Sequence, residues 1–359
     1  MIKILLEVNT LLIKKEILLI VICRYANVPA FLCANANFIV YPVGISVYFC
    51  YNEYRGFKGG RAMKIEFTKM HGAGNDYVYV DCTKEMLPNP GAISEYVSHR
   101  RFGIGSDGLI CVCKSDVADF KMRMFNADRS EGKMCGNGVR CVAKFVHDKG
   151  LTDKTTITLE TLSGVKEIEM VVENGEVVGA KVDMGKPVFR ATEIPMNCDH
   201  YIFVDQAIVL NDNHDDVTKE KVFYNGTAIS MGNPHFVTFV DDVDSLKLEE
   251  LGPQFEHHKL FPEGVNTEFV QVLDKNTVKF RVWERGSGET WACGTGASAV
   301  TVACIMLNKA GKKGEPLNVH CKGGLLKVTH ELNDHVTLEG NAVAVFDGVI
   351  DIPESVINE

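Results

Sequence analysis

Short runs of alternating apolar and polar residues dominate the chain from Met63 onward. Alternation is typical of half-buried β-strands, because successive side chains of a strand point to opposite faces of the sheet. It predicts strands at KIEFTKM, DYVYVDC, GLICVCK, FKMRMFN, TTITLET and TVKFRVW. A hairpin with an Asn174-Gly175 turn is predicted in VKEIEMVVENGEVVGAKVDM, and LNVHCKGGLLKVTHELNDHVTLEGNAVAVF continues the meander.

Two segments replace this alternation with helical spacing, and each begins directly after a C-G-x-G sequence. The first helix is predicted from about Asn137 to His147, with one apolar face. The second, TGASAVTVACIMLN, is predicted from about Thr295 to Asn308 and is apolar almost all round. Such a helix must be buried on every side, so we expect strands to enclose it.

The two halves of the chain repeat each other at a spacing of 158 residues. Identical residues recur at that spacing in the pairs Asn75/Asn233, Lys121/Lys279, Arg123/Arg281, Cys135/Cys293, Gly136/Gly294 and Gly138/Gly296. Asn126 and Glu284 keep the spacing as a polar pair. Six identities in one register indicate an internal duplication, hence two similar lobes, each a layer of strands around a helix. Equivalent residues of such lobes commonly face one cleft.

Composition narrows the class of protein. The chain has 359 residues and a formal net charge of −9, which allows two cores and argues against nucleic acid as a partner. A small polar substrate fits better. Its 12 cysteines include no C-x-x-C pair, so we predict no metal site and a reducing, cytoplasmic environment. Cys111 and Cys113 are expected to be small buried hydrophobes on one strand face.

Residues 1–62 differ from the rest of the chain, with no charge between Arg24 and Glu53. A membrane span is one interpretation, but asparagines and Pro42 interrupt the stretch. A signal peptide is another, but the apolar run before Arg24 is short. We expect an upstream extension from a misplaced start, with Met63 opening the fold and no membrane contact for the core.

The position of Cys135 and Cys293 at predicted helix starts suggests acid–base chemistry. The helix dipole favours a thiolate there and is expected to lower the pKa of each thiol. The backbone N–H groups after each cysteine can bind a carboxylate. One cysteine can then remove a proton from the neighbouring carbon while the other delivers a proton to the opposite face. That chemistry inverts a stereocentre.

Other interpretations of the two cysteines remain open on the residues alone. Both could simply pack in the core, or they could form a redox disulfide. A non-catalytic ligand-binding or redox module would be distinguished from an enzyme by showing no exchange of the substrate's α-hydrogen.

Six motifs between Met63 and the C-terminus resemble the signature set of the diaminopimelate epimerases: MHGAGNDYVYVD, GIGSDG, FNADRSEGKMCGNGVRC, SMGNPHFV, GVNTEF and WERGSGETWACGTGASA. The resemblance implies a cofactor-independent isomerase that interconverts LL- and meso-2,6-diaminopimelate in lysine and peptidoglycan precursor biosynthesis. It implies an α+β fold with two pseudo-symmetric lobes, each a curved, mainly antiparallel β-sheet around a central α-helix. It also implies a homodimer. The expected lobes are residues 63–180 with 341–359, and residues 181–340.

The resemblance also assigns roles to individual residues. Cys135 and Cys293 are the acid/base pair, and His235 and Glu284 tune the pKa values of the cysteines. The implied substrate-binding residues are Asn75, Asn126, Gly136, Asn137, Asn233, Asn266, Glu284, Arg285, Gly294 and Thr295. The chemistry agrees at the distal end of the substrate, where Arg285 can pair with a carboxylate and Glu284 with an ammonium group.

Three positions bear on this resemblance: one separates the chain from a related family, and two depart from the usual family pattern. Proline-racemase-like enzymes are the nearest alternative, but they carry a histidine after the first C-G, where this chain has Asn137. Gly108 stands where some diaminopimelate epimerases carry a substrate-contacting glutamine. Arg129 stands in a turn where glycine is usual, so it is predicted to adopt a positive φ.

Overall fold

The computed structural model describes residues 38–40, 46–48, 62–210 and 221–358. The chain divides into two units, residues 1–60 and 61–359. In the first unit the description covers the backbone of two antiparallel strands, β1 (Phe38–Val40) and β2 (Ser46–Tyr48). The prediction of an extension over residues 1–62 otherwise lies outside the described residues.

The second unit is built mainly from strands, as the alternation predicted. In chain order the strands are β3 (Met63–Gly72), β4 (Asn75–Cys82), β5 (Gly108–Cys113), β6 (Phe120–Asn126), β7 (Glu131–Gly132), β8 (Thr156–Thr161), β9 (Gly164–Glu173), β10 (Glu176–Asp183), β11 (Gln206–Leu210), β12 (Val222–Ser230), β13 (Pro234–Phe239), β14 (Asn266–Asp274), β15 (Thr277–Glu284), β16 (Gly288–Thr290), β17 (Pro316–Cys321), β18 (Gly324–His330), β19 (Val336–Asn341) and β20 (Val343–Ile352). The helices are α1 (Pro90–Ser98), α2 (Gly136–Asp148), α3 (Leu248–Glu256), α4 (Gly294–Met306) and α5 (Glu354–Ile357), with a 3-10 turn at Ala191–Glu193.

The strands form two curved layers that share one hydrogen-bonded ladder. The first layer has the order β20-β3-β4-β5-β6-β8-β9-β10. The second has the order β19-β18-β17-β15-β14-β13-β12-β11, and antiparallel pairing of β10 with β19 joins the two. Most pairs are antiparallel; the parallel ones are β4–β5, β6–β8, β13–β14 and β15–β17.

The predicted duplication is confirmed in the backbone. Helices α1 and α3 begin and end 158 residues apart, and so do α2 and α4. A side-chain contact repeats as well, because Arg123 pairs with Glu131 and Arg281 with Glu289 through both carboxylate oxygens. The parallel pairs fall at equivalent places in the two layers. The lobe boundaries expected near residues 180 and 340 stay a prediction.

Each layer wraps around the helix that follows its C-G-x-G sequence. The prediction that α4 is buried on every side is confirmed, since ten of its 13 residues are buried. The amphipathic helix α2 has one fully buried charged residue, Arg140. Both helices pack into one continuous apolar core.

Local predictions also hold. The β9–β10 turn has Asn174 at φ 52° and Gly175 at φ 84°, the left-handed conformation that an Asn-Gly hairpin turn requires. Cys111 and Cys113 are buried, as the predicted small hydrophobes, in an apolar cluster formed by strands of the first layer and helix α1. Helices α1 and α3 were missed by the sequence reading, although Asn89 caps α1 and a proline follows it, which is a recognisable helix start.

Candidate active site

Helices α2 and α4 begin opposite each other at one cleft. A Cβ atom placed on Gly294 lies 3.9 Å from Cα of Gly136 and 4.0 Å from Cε of Met184. The cleft has a volume of about 1770 Å³ and is lined by residues of both halves, including Cys135 and Cys293. The duplication therefore brings the two C-G-x-G sequences together, as the repeat predicted.

Each cysteine is the N-cap of its helix. Cys135 has φ −130° and ψ 116°, and the backbone N–H of Gly138 donates to its Sγ at 3.4 Å. Cys293 has φ −120° and ψ 112°, and the N–H of Gly296 donates to its Sγ at 3.3 Å. An N-cap side chain accepts from the third residue after it in this way, so sulfur replaces the oxygen of a usual cap.

The second glycine of each C-G-x-G is required by close packing beneath the helix. A Cβ on Gly138 would lie 2.8 Å from Cδ1 of Ile110. A Cβ on Gly296 would lie 2.6 Å from Oε1 of Glu268. Ile110 and Glu268 lie 158 residues apart, so the two lobes place chemically different side chains at the same position.

The helix-start amides lower the pKa of each thiol, as predicted, but the expectation of a lowered net pKa was wrong. Burial raises the pKa of Cys135, and the helix-start amides and the Arg140 charge offset only part of that effect. The pKa of Cys293 is raised further above its ordinary value, by burial first and then by the charges of Glu284 and Glu268. Desolvation therefore outweighs the helix dipole at both thiols.

Cys135 contacts a hydrogen-bonded chain in the first lobe. Its Sγ lies 3.0 Å from Oδ1 of Asn75, to which it donates. The Asn75 amide NH₂ donates to Oδ2 of Asp107 at 2.8 Å, and Nη2 of Arg100 donates to Oδ1 of Asp107 at 2.8 Å. Sequence reasoning identified Asn75 but not Asp107, although Asp107 lies within the quoted motif GIGSDG.

The corresponding chain in the second lobe is buried. Nδ1 of His235 lies 2.7 Å from Oε1 of Glu268, and Nε2 lies 2.9 Å from Oδ1 of Asn233. His235 and Glu268 are fully buried, and burial raises the pKa of Glu268. Sequence reasoning missed Glu268; a glutamate inside the apolar strand β14 was the available signal.

Most of the predicted substrate-binding residues line the cleft: Asn75, Asn126, Gly136, Asn137, Asn233, Glu284, Arg285, Gly294 and Thr295. Asn266 and His235 lie behind its wall. Asn266 donates from its amide to the Pro234 carbonyl at 2.8 Å and accepts from the Arg285 backbone N–H at 3.0 Å. Asn266 therefore holds the Arg285 backbone in place. The Arg285 side chain is exposed. The hydroxyl of Thr290 donates to the carboxylate of Glu284.

The two departures from the family motifs have clear local structures. A Cβ on Gly108 would lie 2.2 Å from the Phe125 carbonyl oxygen and 2.8 Å from Cε1 of Tyr77, so this backbone has no room for a glutamine. Arg129 has φ 76°, which confirms the predicted positive φ, and its guanidinium pairs with Glu95.

The described residues contain no group of three or more His, Cys, Asp or Glu side chains arranged to hold a metal ion. In the same residues no helix has the length and apolar character needed to cross a membrane.

Comparisons with known proteins agree on one family. The sequence model for diaminopimelate epimerase matches residues 67–190 and 227–345. A diaminopimelate epimerase from Methanococcus maripaludis is 52% identical over 289 residues, covering 80% of this chain and 100% of that protein. One from Acetivibrio thermocellus is 48% identical over 291 residues, covering 81% and 100%.

Solved structures show the same fold at low sequence identity. A PhzF-family phenazine biosynthesis protein from Bacillus anthracis matches with a TM-score of 0.57 at 18% identity, over 81% of this chain and 100% of that one. A hydroxyproline epimerase from Agrobacterium vitis matches with a TM-score of 0.54 at 13% identity, over 82% and 93%. The expected α+β fold with two similar lobes is thereby confirmed.

Proposed function

The chain belongs to the diaminopimelate epimerase family, and we propose that Cys135 and Cys293 are the two acid/base residues with which it interconverts LL- and meso-2,6-diaminopimelate. The observation that carries this assignment is the meeting of two thiol-capped helix starts at one cleft. The reaction is PLP-independent and belongs to lysine and peptidoglycan precursor biosynthesis.

Inversion proceeds by transfer of one proton at each face of the α-carbon. The thiolate of one cysteine takes the α-proton, so that the C–H bond breaks, an S–H bond forms and the electron pair is delocalised into the adjacent carboxylate. The thiol of the other cysteine then gives its proton to the opposite face and becomes a thiolate. The two cysteines exchange protonation states, and the reverse reaction runs through the same steps.

The reacting carboxylate binds between the two helix starts. Gly136 with Asn137, and Gly294 with Thr295, present backbone N–H groups from both ends of the cleft floor. Since neither glycine carries a side chain, the carboxylate can approach the amides closely. These amides stabilise the additional charge that develops when the α-proton leaves.

The distal amino-acid end of the substrate binds to polar residues further along the cleft. Arg285 pairs with the distal carboxylate and Glu284 with the ammonium group, with Asn126 and Asn233 as additional contacts there. Asn75 contacts the substrate beside Cys135. Asn266 contributes through the Arg285 backbone that it holds. A two-headed substrate suits this arrangement better than a proline does, since proline has no second charged end.

The decisive experiment mixes the full-length protein with LL-diaminopimelate in heavy water and follows chirality and label together. We expect meso product that carries one solvent deuterium at the inverted carbon. Inversion without solvent label would contradict the two-base scheme. A parallel incubation offers L-proline in place of diaminopimelate. Deuterium incorporation into proline, with none into diaminopimelate, would instead favour a proline-racemase-like activity.

We also propose that the enzyme is a cytoplasmic homodimer. The nine described cysteines are free thiols, which suits a reducing compartment. Strand β20 pairs only with β3 among the described strands, and its side chains Val345, Phe346 and Val349 are exposed. An apolar edge strand of this kind is suited to a second copy of the chain. Sedimentation that finds only monomer at micromolar concentration would refute the dimer.

A further inference from the structure

Asn75 and Asn233 are equivalent residues of the two lobes, and both line the cleft. Their amides are held in different ways. The NH₂ group of Asn75 donates to Asp107 at 2.8 Å, which leaves its oxygen 3.0 Å from Sγ of Cys135. The oxygen of Asn233 instead lies 2.9 Å from Nε2 of His235, which leaves its NH₂ group for the cleft.

The orientation of Asn75 follows from the donors around Asp107. The Asp107 carboxylate accepts from Asn75, from the backbone N–H of Asp76 at 3.1 Å and from Arg100 at 2.8 Å. Burial raises the pKa of Asp107, and the Arg100 charge opposes that rise. A carboxylate has no hydrogen to donate, so Asn75 must turn its NH₂ group toward Asp107 and its oxygen toward the sulfur.

The orientation of Asn233 depends on which ring nitrogen of His235 carries a hydrogen. The short contact between Oε1 and Nδ1 can hold an imidazolium beside a carboxylate, a neutral imidazole beside a carboxylic acid, or a neutral imidazole whose Nδ1–H donates to a carboxylate. The oxygen of Asn233 faces Nε2 at 2.9 Å and can only accept, so Nε2 carries a hydrogen and one of the first two arrangements holds. The pair is fully buried, and Oε2 of Glu268 has no partner among the described residues.

We propose that Asp107 and the Glu268–His235 pair are positioning residues that hold the two equivalent asparagine amides in opposite senses. Asn75 presents an oxygen to Cys135, and Asn233 presents an NH₂ group to the cleft. The proposal rests on the proposed function in one respect only, the acid–base role of Cys135. Its deciding readouts, thiol alkylation and NMR, report hydrogen bonding and need no turnover, so they can fail independently of that function.

The first test compares Asp107→Ala with Asp107→Asn in the full-length protein. Alkylation of Cys135 by iodoacetamide is followed against pH by peptide mass spectrometry, with Cys293 as the internal control. Asp107→Ala releases the Asn75 amide, so the acceptor that holds the thiol hydrogen is lost and the pH midpoint of Cys135 alkylation falls by about one unit. Asp107→Asn keeps an acceptor for Asn75 and stays closer to the wild-type midpoint.

The charged and titratable groups that face Cys135 are the same in both variants: Arg140, Glu284, Tyr77, Tyr79 and Cys141. A difference between the two variants therefore reports the Asn75 amide. Equal midpoints in Asp107→Ala and Asp107→Asn would overturn the assignment of Asp107, whether or not both differ from wild type. So would an equal shift of Cys293.

The second test compares Glu268→Gln with Glu268→Met. Both substitutions remove the carboxylate that could draw the imidazole hydrogen to Nδ1; glutamine keeps a hydrogen-bond partner for Nδ1, whereas methionine leaves Nδ1 without one. We expect the Nε2–H signal of His235 in nitrogen–proton NMR in the wild type and in both variants, with faster exchange with water in Glu268→Met, where the ring is no longer held through Nδ1. The KM for LL-diaminopimelate is expected to rise about fivefold in Glu268→Met, with kcat changed less.

Thermal unfolding checks that both Glu268 variants are folded. Should the methionine variant not fold, the glutamine variant still decides, because loss of the Nε2–H signal in folded Glu268→Gln would overturn the proposal. Equal rates of Nε2–H exchange in the two folded variants would overturn it as well.

Discussion

The two helix starts have the same geometry but different chemical surroundings. In the first lobe Ile110 packs under the helix, and Arg140 is buried one turn along it. In the second lobe Glu268 lies at the Ile110 position and Ser298 at the Arg140 position. The duplication has kept the caps, glycines and strand register, while the charges beneath the caps have diverged.

This difference separates the two thiols electrostatically. The charge of Arg140 lowers the pKa of Cys135 against the rise caused by burial. Glu284 and Glu268 add to the rise at Cys293. A symmetric fold therefore carries two thiols in unequal electrostatic surroundings, which suits the proposed two-base reaction, since it requires one thiolate and one thiol at a time.

The largest expected effect comes from removing either member of the pair. Cys135→Ala and Cys293→Ala should each lower the rate of epimerisation by about 10³-fold or more, because each direction of reaction needs both proton transfers. Chiral chromatography of the diaminopimelate product measures the rate, and circular dichroism confirms the fold. Full activity in either variant would disprove the two-base scheme.

The equivalent positions Gly108 and Asn266, at the starts of β5 and β14, should differ in stability effects. Gly108→Ala forces a Cβ against the Phe125 carbonyl and should lower the free energy of unfolding by about 2–3 kcal/mol. Asn266→Ala removes two hydrogen bonds and should cost about 1–2 kcal/mol while raising KM through Arg285. Denaturant titration measures both, and a larger loss for Asn266→Ala would contradict this order.

Arg140→Met should shift the acid–base balance of the first lobe. Loss of the buried cation raises the pKa of Cys135 further, so the thiolate fraction at neutral pH falls. A shift of about one unit would lower kcat/KM at neutral pH about tenfold and move its rise with pH to more alkaline values. The pH profile of kcat/KM measures this effect.

Ser298→Ala is the matched control for Arg140→Met in the second lobe. The Ser298 hydroxyl donates to the Gly294 carbonyl at 2.9 Å and carries no charge. We expect its pH profile to match that of the wild type. An equal displacement of the profile in both variants would show that disturbance of the helix start, rather than the charge of Arg140, is responsible.

The smallest expected effect is at Arg129. Arg129→Gly relieves the cost of a positive φ in a non-glycine residue but loses the exposed ion pair with Glu95. The relieved backbone strain is worth about 1–2 kcal/mol and the lost ion pair about 0–1 kcal/mol, with opposite signs, so the free energy of unfolding should rise by about 1 kcal/mol. A fall instead, measured by thermal or denaturant unfolding, would mean that the arginine organises the turn.

Much of the fold could be predicted because its patterns are local. Alternation identified strands such as β6 and β8, and the Asn174-Gly175 turn follows from two adjacent residues that tolerate positive φ. Helices α1 and α3 were missed because nine residues provide too few turns for a clear apolar face. Their helical state depends on packing against the outer faces of the layers.

The site was predicted in part for a related reason. Cys135 and Cys293 were identified because each stands in a repeated, glycine-rich sequence. Asp107, Arg140 and Glu268 were not, because a charged residue within a strand, helix or turn gives no sign in the sequence of which buried atom it will face. The helix dipole was visible in the sequence, but the greater effect of burial on the thiols was not.

The sequence by itself determined the duplication, the two thiol-capped helices and the family, since these depend on residue identity and spacing along the chain. The duplication also predicted that both caps share one cleft, but the tertiary structure alone decided that a guanidinium lies under one cap and a carboxyl group under the other. Charges act through space and in proportion to burial, and neither distance nor burial can be read along the chain.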